Sequence, residues 1–245
     1  HDALPIFKEL IKLNLNENEM ISNINVLSKL NCQKLQELDL SGNNILNINV
    51  LEKVNFKELK KLYLNRNIIS NINIFQNVNF KKLKVLGLNC NKISDINVLE
   101  KVNFPELEEL GLSNNKITHI SAFDKVNFKK LKILSLNCNQ IFNIDILEKL
   151  NFPELEELNL SNNNIKNIIV LEKVDFKELK VLKLNKNNIS DITVLEKVQF
   201  YKLNTLLLGY NKKFNSENLQ KLKNKVFKEL KELDILEEYY HKDFW

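Results

Sequence analysis

The stretch Leu107-Glu-Glu-Leu110-Gly-Leu112-Ser-Asn-Asn115-Lys-Ile117 decides the fold of this chain. Leucines at alternate positions, such as Leu110 and Leu112, form the period-2 pattern of a short strand with one buried face. Counted from Leu107 as position 1, the first leucine recurs every 24 residues at Leu35, Leu59, Leu83, Leu107, Leu131, Leu155, Leu179 and Leu203, and Leu10 precedes Leu35 by 25. The asparagine at position 9 recurs at Asn18, Asn43, Asn67, Asn91, Asn115, Asn139, Asn163, Asn187 and Asn211. A fixed period over most of the chain indicates a repeat architecture in which each unit packs on its neighbours.

The unit L-x-x-L-x-L-x-x-N-x-I resembles the signature of the leucine-rich-repeat (LRR) family over about residues 7 to 235. This resemblance implies an α/β repeat solenoid: a horseshoe with a parallel sheet on its concave side and short helices on its convex side. It also implies that the repeated asparagines form a buried ladder. Paired isoleucines such as Ile93 and Ile96 place the chain nearest the Ile-rich subclass of phosphatase regulators and internalins, although the 24-residue unit and its extra phenylalanine depart from that subclass.

The repeats predict one leucine-rich-repeat domain over residues 1–245. We expect about nine full repeats from residue 7 to 214, followed by a C-terminal helix and a tenth strand that together cap the solenoid over residues 215–245. The end repeats of a solenoid need a distinct cover. The closing aromatic residues are expected to supply it: Tyr239, Tyr240, Phe244 and Trp245.

The second half of each unit predicts a short convex helix. Asn97 is followed by Glu100 three residues later, which is the spacing of a capping box, and the same spacing joins Asn49 to Glu52, Asp145 to Glu148 and Thr193 to Glu196. Phe104 is predicted to enter the core before the next strand. Cys32 stands where other units carry that phenylalanine, so it is predicted to be a small buried apolar residue.

Charge is mixed along the whole chain, with 36 basic and 31 acidic residues and a net charge of +5. No run of five like charges and no long apolar stretch occurs, so we expect no specific nucleic-acid binding and no transmembrane segment. Position 2 alternates in sign from unit to unit, which predicts a ladder of ion pairs between neighbouring strands. The ladder runs through Lys84, Glu108, Lys132, Glu156 and Lys180.

Few residues could take part in catalysis or metal binding. Cys90 and Cys138 lie two units apart, or about 10 Å across parallel strands, which is too far for a disulfide. All three cysteines are therefore predicted to be free thiols, which favours a reducing, cytoplasmic compartment. The histidines, His1, His119 and His241, form no metal-ligand spacing or catalytic triad. We predict no catalytic residue, no metal and no cofactor, and hence no enzyme.

Positions 3, 5 and 8 of each unit are directed away from the predicted core and define the concave face. Tyr and Arg are enriched at binding hot spots, and several apolar residues stand at position 3. The predicted partner-binding residues are Tyr63, Arg66, Val85, Cys90, Ile133, Cys138, Val181, Lys183, Lys186, Leu207 and Tyr210. The leading hypothesis is a monomeric protein–protein interaction scaffold or regulatory module that binds a protein partner there. The alternatives are a binder of polyanions or membrane surfaces, and the recognition domain of a larger enzyme.

Overall fold

A computed structural model describes residues 7–214 and 230–234. Within these residues, ten three-residue strands form one parallel sheet in which each strand pairs with the next in chain order. The strands are β1 Lys12–Asn14, β2 Glu37–Asp39, β3 Lys61–Tyr63, β4 Val85–Gly87, β5 Glu109–Gly111, β6 Ile133–Ser135, β7 Glu157–Asn159, β8 Val181–Lys183, β9 Thr205–Leu207 and β10 Glu232–Asp234. The predicted solenoid with a parallel sheet is confirmed.

One continuous apolar core runs behind the sheet. Leu107, Leu110 and Leu112 of a single unit have no exposed surface, while Glu109 between them is exposed and Glu108 is half-buried. Phe104 is 1% exposed and Cys32, at the same position of its unit, is also 1% exposed, so both predictions are confirmed. Each unit thus encloses its apolar residues only together with its neighbours, as expected of a solenoid.

The convex connections are 3₁₀ helices of four or five residues. They span Asn25–Lys29, Asn49–Glu52, Asn73–Gln76, Asn97–Lys101, Ser121–Asp124, Asp145–Lys149, Ile169–Lys173 and Thr193–Glu196. The predicted capping boxes are wrong, because Asn97 is the first helical residue and the N-cap is Ile96, whose side chain makes no capping hydrogen bond. Instead, the Asp95 side chain accepts the backbone N–H of Asn97 at 2.8 Å, an Asx turn. The same bond starts six other connections, from Asn23, Asn47, Asn71, Asn143, Asn167 and Asp191.

The asparagines at position 9 join the units into a ladder of hydrogen bonds. Asn115 Nδ2 donates to the carbonyl of Leu112 in its own unit and to that of Leu88 in the preceding one, at 3.1 and 3.0 Å. Its Oδ1 accepts the backbone N–H of Ile93 at 3.0 Å. The buried members of the ladder are Asn43, Asn67, Asn91, Asn115, Asn139, Asn163 and Asn187. Their role is to satisfy buried backbone groups that the turns leave unpaired.

The predicted C-terminal cap is described in part. Its tenth strand is present as β10 and pairs with β9. The predicted helix that begins at Asn215 and the four closing aromatic residues lie outside the described residues. In residues 7–214 and 230–234, no helix is both long and apolar enough to cross a lipid bilayer.

Candidate functional site: the concave face

The apolar residues at position 3 lie on the outer side of the sheet. Val85, Ile133 and Val181 are half-buried, whereas the leucine that follows each of them is buried. The strand register aligns them in one row with Glu109 between the first two and Glu157 between the last two. Position 3 therefore presents apolar and acidic side chains in alternation across the middle of the face.

Position 8 has a backbone geometry that the sequence pattern did not predict. Its residue lies in the left-handed region in every described unit, with φ between +52° and +65°. The residues are Glu17, Gly42, Arg66, Cys90, Asn114, Cys138, Asn162, Lys186 and Tyr210. This conformation costs an L-residue about 1–2 kcal/mol relative to the right-handed one. The sequence signal for this geometry is Gly42, because glycine adopts the left-handed region freely.

The position-8 thiols accept hydrogen bonds from the asparagine of the following unit. Asn114 Nδ2 donates to Cys90 Sγ at 3.3 Å, and Asn162 Nδ2 donates to Cys138 Sγ at 3.2 Å. Both cysteines are half-buried and free, and Cys32 is free and buried, as predicted. These bonds join position 8 of neighbouring units in two separate pairs.

Two glycines at position 5 make room for asparagine side chains. A Cβ on Gly87 would lie 2.8 Å from Asn65 Nδ2, and one on Gly111 would lie 2.6 Å from Asn89 Nδ2. These asparagines bridge neighbouring units, because Asn65 Oδ1 accepts the N–H of Asn89 and Asn89 Oδ1 accepts the N–H of Ser113, at 2.9 and 2.8 Å. Positions 5 of β4 and β5 consequently form a shallow floor beside the row of position-3 side chains.

Tyr63 stands at the edge of this floor in an acidic environment. Burial raises the pKa of its hydroxyl, and the carboxylates of Glu37, Glu109 and Asp39 raise it further, whereas Lys12 lowers it. The ring is half-buried and contacts the space above Gly87. The raised pKa keeps the Tyr63 hydroxyl neutral, so it can donate a hydrogen bond to a partner.

The opposite end of the face carries basic and aromatic residues that contact one another. Lys183 Nζ pairs with Glu157 at 2.6 Å across neighbouring strands. Lys186 Nζ lies 5.5 Å from the centre of the Tyr210 ring, a cation–π contact. Leu207 is half-buried, and Tyr210 is exposed by 41%. Neither contact was predicted from the sequence. Lys183 and Glu157 stand at different positions of their units, whereas Lys186 and Tyr210 both stand at position 8.

The position-2 charges form the predicted ladder in part, since Lys132 and Glu156 make no ion pair with each other in the described residues. Glu108 pairs with Lys84 at 2.6 Å and with Lys132 at 3.4 Å, and Glu156 pairs with Lys180 at 2.7 Å. These lysines are occupied by intramolecular partners. Among the residues that the structure describes, no three His, Cys, Asp or Glu side chains are grouped so as to hold a metal ion.

Comparison with known families identifies the repeat. Two family models described as leucine rich repeats match the chain, one over residues 57–117 and 81–141 and the other over residues 34–53 and 154–172. The chain belongs to the leucine-rich-repeat family. No curated protein sequence matches it.

Several solved leucine-rich-repeat structures share the fold. An internalin from Listeria monocytogenes strain 4b F2365 is 27% identical, with a TM-score of 0.76, and the match covers 94% of this chain and 62% of the internalin chain. Internalin C2 from the same strain is 20% identical, with a TM-score of 0.60, over 94% of this chain and 82% of that one. The ectodomain of the Arabidopsis thaliana receptor kinase GASSHO1/SCHENGEN3 is 23% identical, with a TM-score of 0.69, over 92% of this chain and 27% of that one.

Proposed function

We propose that this leucine-rich-repeat chain is a protein-binding module and that its partner docks on the concave face. The observation that carries the proposal is the group of apolar and aromatic side chains on that face. Tyr63, Val85, Ile133, Val181 and Tyr210 are half-buried or exposed on the side of the sheet opposite the core. The fold does not require apolar residues on this side of the sheet, since the alternate leucines on the other side form the core.

The leucine-rich-repeat fold is suited to this role. The plant ectodomain with the same fold was solved in complex with CASPARIAN STRIP INTEGRITY FACTOR 2. A solenoid offers an extended surface on which one partner can contact side chains from many successive units. The internalin likeness also supports a binding domain, although this chain spans only 62% of that internalin.

The charges of the face favour a protein partner over a polyanion. A polyanion site needs several lysines or arginines that are free to neutralise phosphate or sulfate groups. On this face, Lys183 is paired with Glu157, and Lys186 lies over Tyr210. Lys61 is exposed and lies beside Glu37 in the strand register, and Arg66 is exposed. The basic side chains are therefore mixed with acidic and aromatic groups.

Tyrosine substitutions test the proposal, after a partner has been captured from the native source with the full-length protein. Tyr63→Ala and Tyr210→Ala should each weaken binding by about 1–2 kcal/mol. The matched control is Tyr201→Ala, because Tyr201 is 72% exposed and precedes β9 in a turn outside the concave face. Affinities at low and high salt separate the alternatives. A steep salt dependence with both face variants binding as tightly as the parent would replace this proposal with polyanion binding.

A further inference from the structure

In the middle of the concave face, the four units of β4 to β7 contribute no basic side chain of their own at positions 3, 5 and 8. The four units have twelve residues at these positions, and the only charged ones are Glu109 and Glu157. The whole chain nevertheless has a net charge of +5. The twelve residues are Val85, Gly87, Cys90, Glu109, Gly111, Asn114, Ile133, Ser135, Cys138, Glu157, Asn159 and Asn162. This region is complementary to a partner that carries positive charge.

Glu109 is the carboxylate in this region that is available to a partner. Glu157 already pairs with Lys183 at 2.6 Å. Glu109 is exposed and makes no side-chain hydrogen bond or ion pair within residues 7–214 and 230–234. It lies close enough to Tyr63 to raise the pKa of that hydroxyl. A cation brought to Glu109 by a partner would therefore meet an unpaired negative charge.

The spacing of the apolar side chains restricts the shape of the partner. Val85, Ile133 and Val181 are two strands apart in the register, and adjacent strands are about 4.8 Å apart, so the apolar contacts repeat about every 9.6 Å or slightly less on a concave surface. A polyproline-II segment repeats the same face every three residues, or about 9.3 Å. A β-strand repeats its face at about 6.6 Å, and an α-helix repeats its face at about 5.4 or 10.5 Å. The polyproline-II repeat matches best.

The floor at position 5 can receive the backbone of such a segment. The side chains of Asn65 and Asn89 cover Gly87 and Gly111 and form the polar surface of this floor beside the apolar row. A polyproline-II backbone makes no internal hydrogen bonds, so its carbonyl groups need donors. Asn89 Nδ2 lies at this floor, beside Gly111, and donates no hydrogen bond in the described part of the chain. It is a suitable donor to a partner carbonyl.

We propose that strands β4 to β8 bind an extended, polyproline-II-like protein segment that carries an apolar side chain at every third residue and basic side chains between them. This proposal rests on the proposed function, because it specifies the partner of the same face. The apolar side chains contact Val85, Ile133 and Val181. A basic side chain between them pairs with Glu109.

Synthetic peptides test this pairing directly by fluorescence anisotropy with the whole chain. The probe is four repeats of Leu-Lys-Pro, and it is compared with four repeats of Leu-Glu-Pro and with a shuffled peptide of the probe's composition in which no two leucines are three residues apart. The probe should bind at least about tenfold more tightly than the acidic peptide, because the glutamates of the acidic peptide would be repelled by Glu109. It should also bind more tightly than the shuffled peptide, because only its leucines match the apolar row.

Variants of the chain locate the site. Glu109→Gln should weaken binding of the probe about three- to fivefold, as expected for loss of one exposed charge pair. Glu196→Gln is the matched control, since Glu196 is exposed on the last described 3₁₀ helix and makes no ion pair in the described residues. It should leave the affinity unchanged.

Three results would overturn the inference: no binding of the probe, equal binding of the three peptides, or equal effects of the two glutamate variants. If Tyr63→Ala and Tyr210→Ala still weaken binding of the captured partner, the proposed function stands and only this description of the partner fails. If neither tyrosine variant affects the captured partner, the proposed function itself fails.

Discussion

Asn163 Nδ2 lies 3.0 Å from the carbonyl oxygen of Leu136 and so joins its own repeat to the preceding one. The same amide donates to Leu160 at 3.1 Å, and its Oδ1 accepts the N–H of Ile141 at 3.0 Å. One buried side chain thus satisfies backbone groups in two units. Asn164, the next residue, is exposed and its side chain makes no hydrogen bond in the described residues.

This contrast gives the first prediction. Asn163→Ala leaves buried backbone groups unpaired, so the free energy of unfolding should fall by about 1–3 kcal/mol or more. Asn164→Ala should change it by less than about 0.5 kcal/mol. Denaturant unfolding followed by circular dichroism measures both. Equal stabilities of the two variants would mean that the ladder is not a source of stability.

A second prediction concerns the phenylalanine between repeats. Phe104 is 1% exposed and packs edge-to-face on Phe75, with ring centres 6.0 Å apart. Phe104→Ala should cost about 3–5 kcal/mol in stability, because it leaves a cavity in the core. Phe142 is 52% exposed and contacts only the surface ring of His119 among aromatic partners in the described residues. Phe142→Ala should cost less than about 1 kcal/mol, and a cost equal to that of Phe104→Ala would contradict the core assignment.

Much of this fold was predictable because every unit has the same length and places the same residue types at the same positions. The register of Leu110 and Leu134, the burial of Phe104 and the ion pair of Lys84 with Glu108 all follow from residues at equal positions meeting in adjacent units. Contacts between unequal positions do not follow from the period. The pair of Lys183 with Glu157 is an example.

Local backbone geometry was the other part that the sequence pattern did not predict. The Asx turn at Asp95 replaced the predicted capping box because the helix that follows is a single 3₁₀ segment that begins at Asn97. The recurrence of Asn or Asp two residues before each helix was the available signal, since these side chains readily accept a backbone N–H two residues on. His119 is the exception.

The left-handed geometry of position 8 gives a third prediction. Arg66 has a φ of +52° and is exposed. Arg66→Gly should be more stable than Arg66→Val by about 1–2 kcal/mol or more, because glycine alone adopts this region without strain. The same two substitutions at Asn164, whose φ is not positive, should not favour glycine. Thermal unfolding of the four variants checks the difference, and a valine variant at residue 66 as stable as the glycine variant would contradict it.

The three thiols give a fourth prediction. Cys32 is buried, and burial raises the pKa of its thiol, so it should react slowly with a thiol reagent in the folded protein. Cys90 and Cys138 are half-buried and should react first. After unfolding without a reductant, all three thiols should react with the reagent. Peptide mass spectrometry after timed labelling assigns the order, and an intramolecular disulfide in the unreduced protein would contradict the prediction.

The fifth prediction concerns acid stability and rests on Glu108. The hydrogen bond from the Lys84 ammonium holds the pKa of the Glu108 carboxyl below its ordinary value; burial opposes this effect, and Lys132 adds to it. Because the pKa is lower in the folded chain, the carboxylate stabilises the fold fully above its unfolded pKa of about 4.3, and this stabilisation is lost as the pH falls through the folded pKa.

Glu108→Gln removes the titrating charge but keeps the shape of the side chain. The parent should therefore be more stable than this variant near neutral pH, and the difference should shrink as the pH falls below about 4, where the parent carboxylate becomes protonated. Glu196→Gln is the control, because Glu196 makes no ion pair in the described residues. Urea unfolding at several pH values measures the difference. A difference that stays constant or grows on acidification would show that the ion pairs of Glu108 do not contribute to stability.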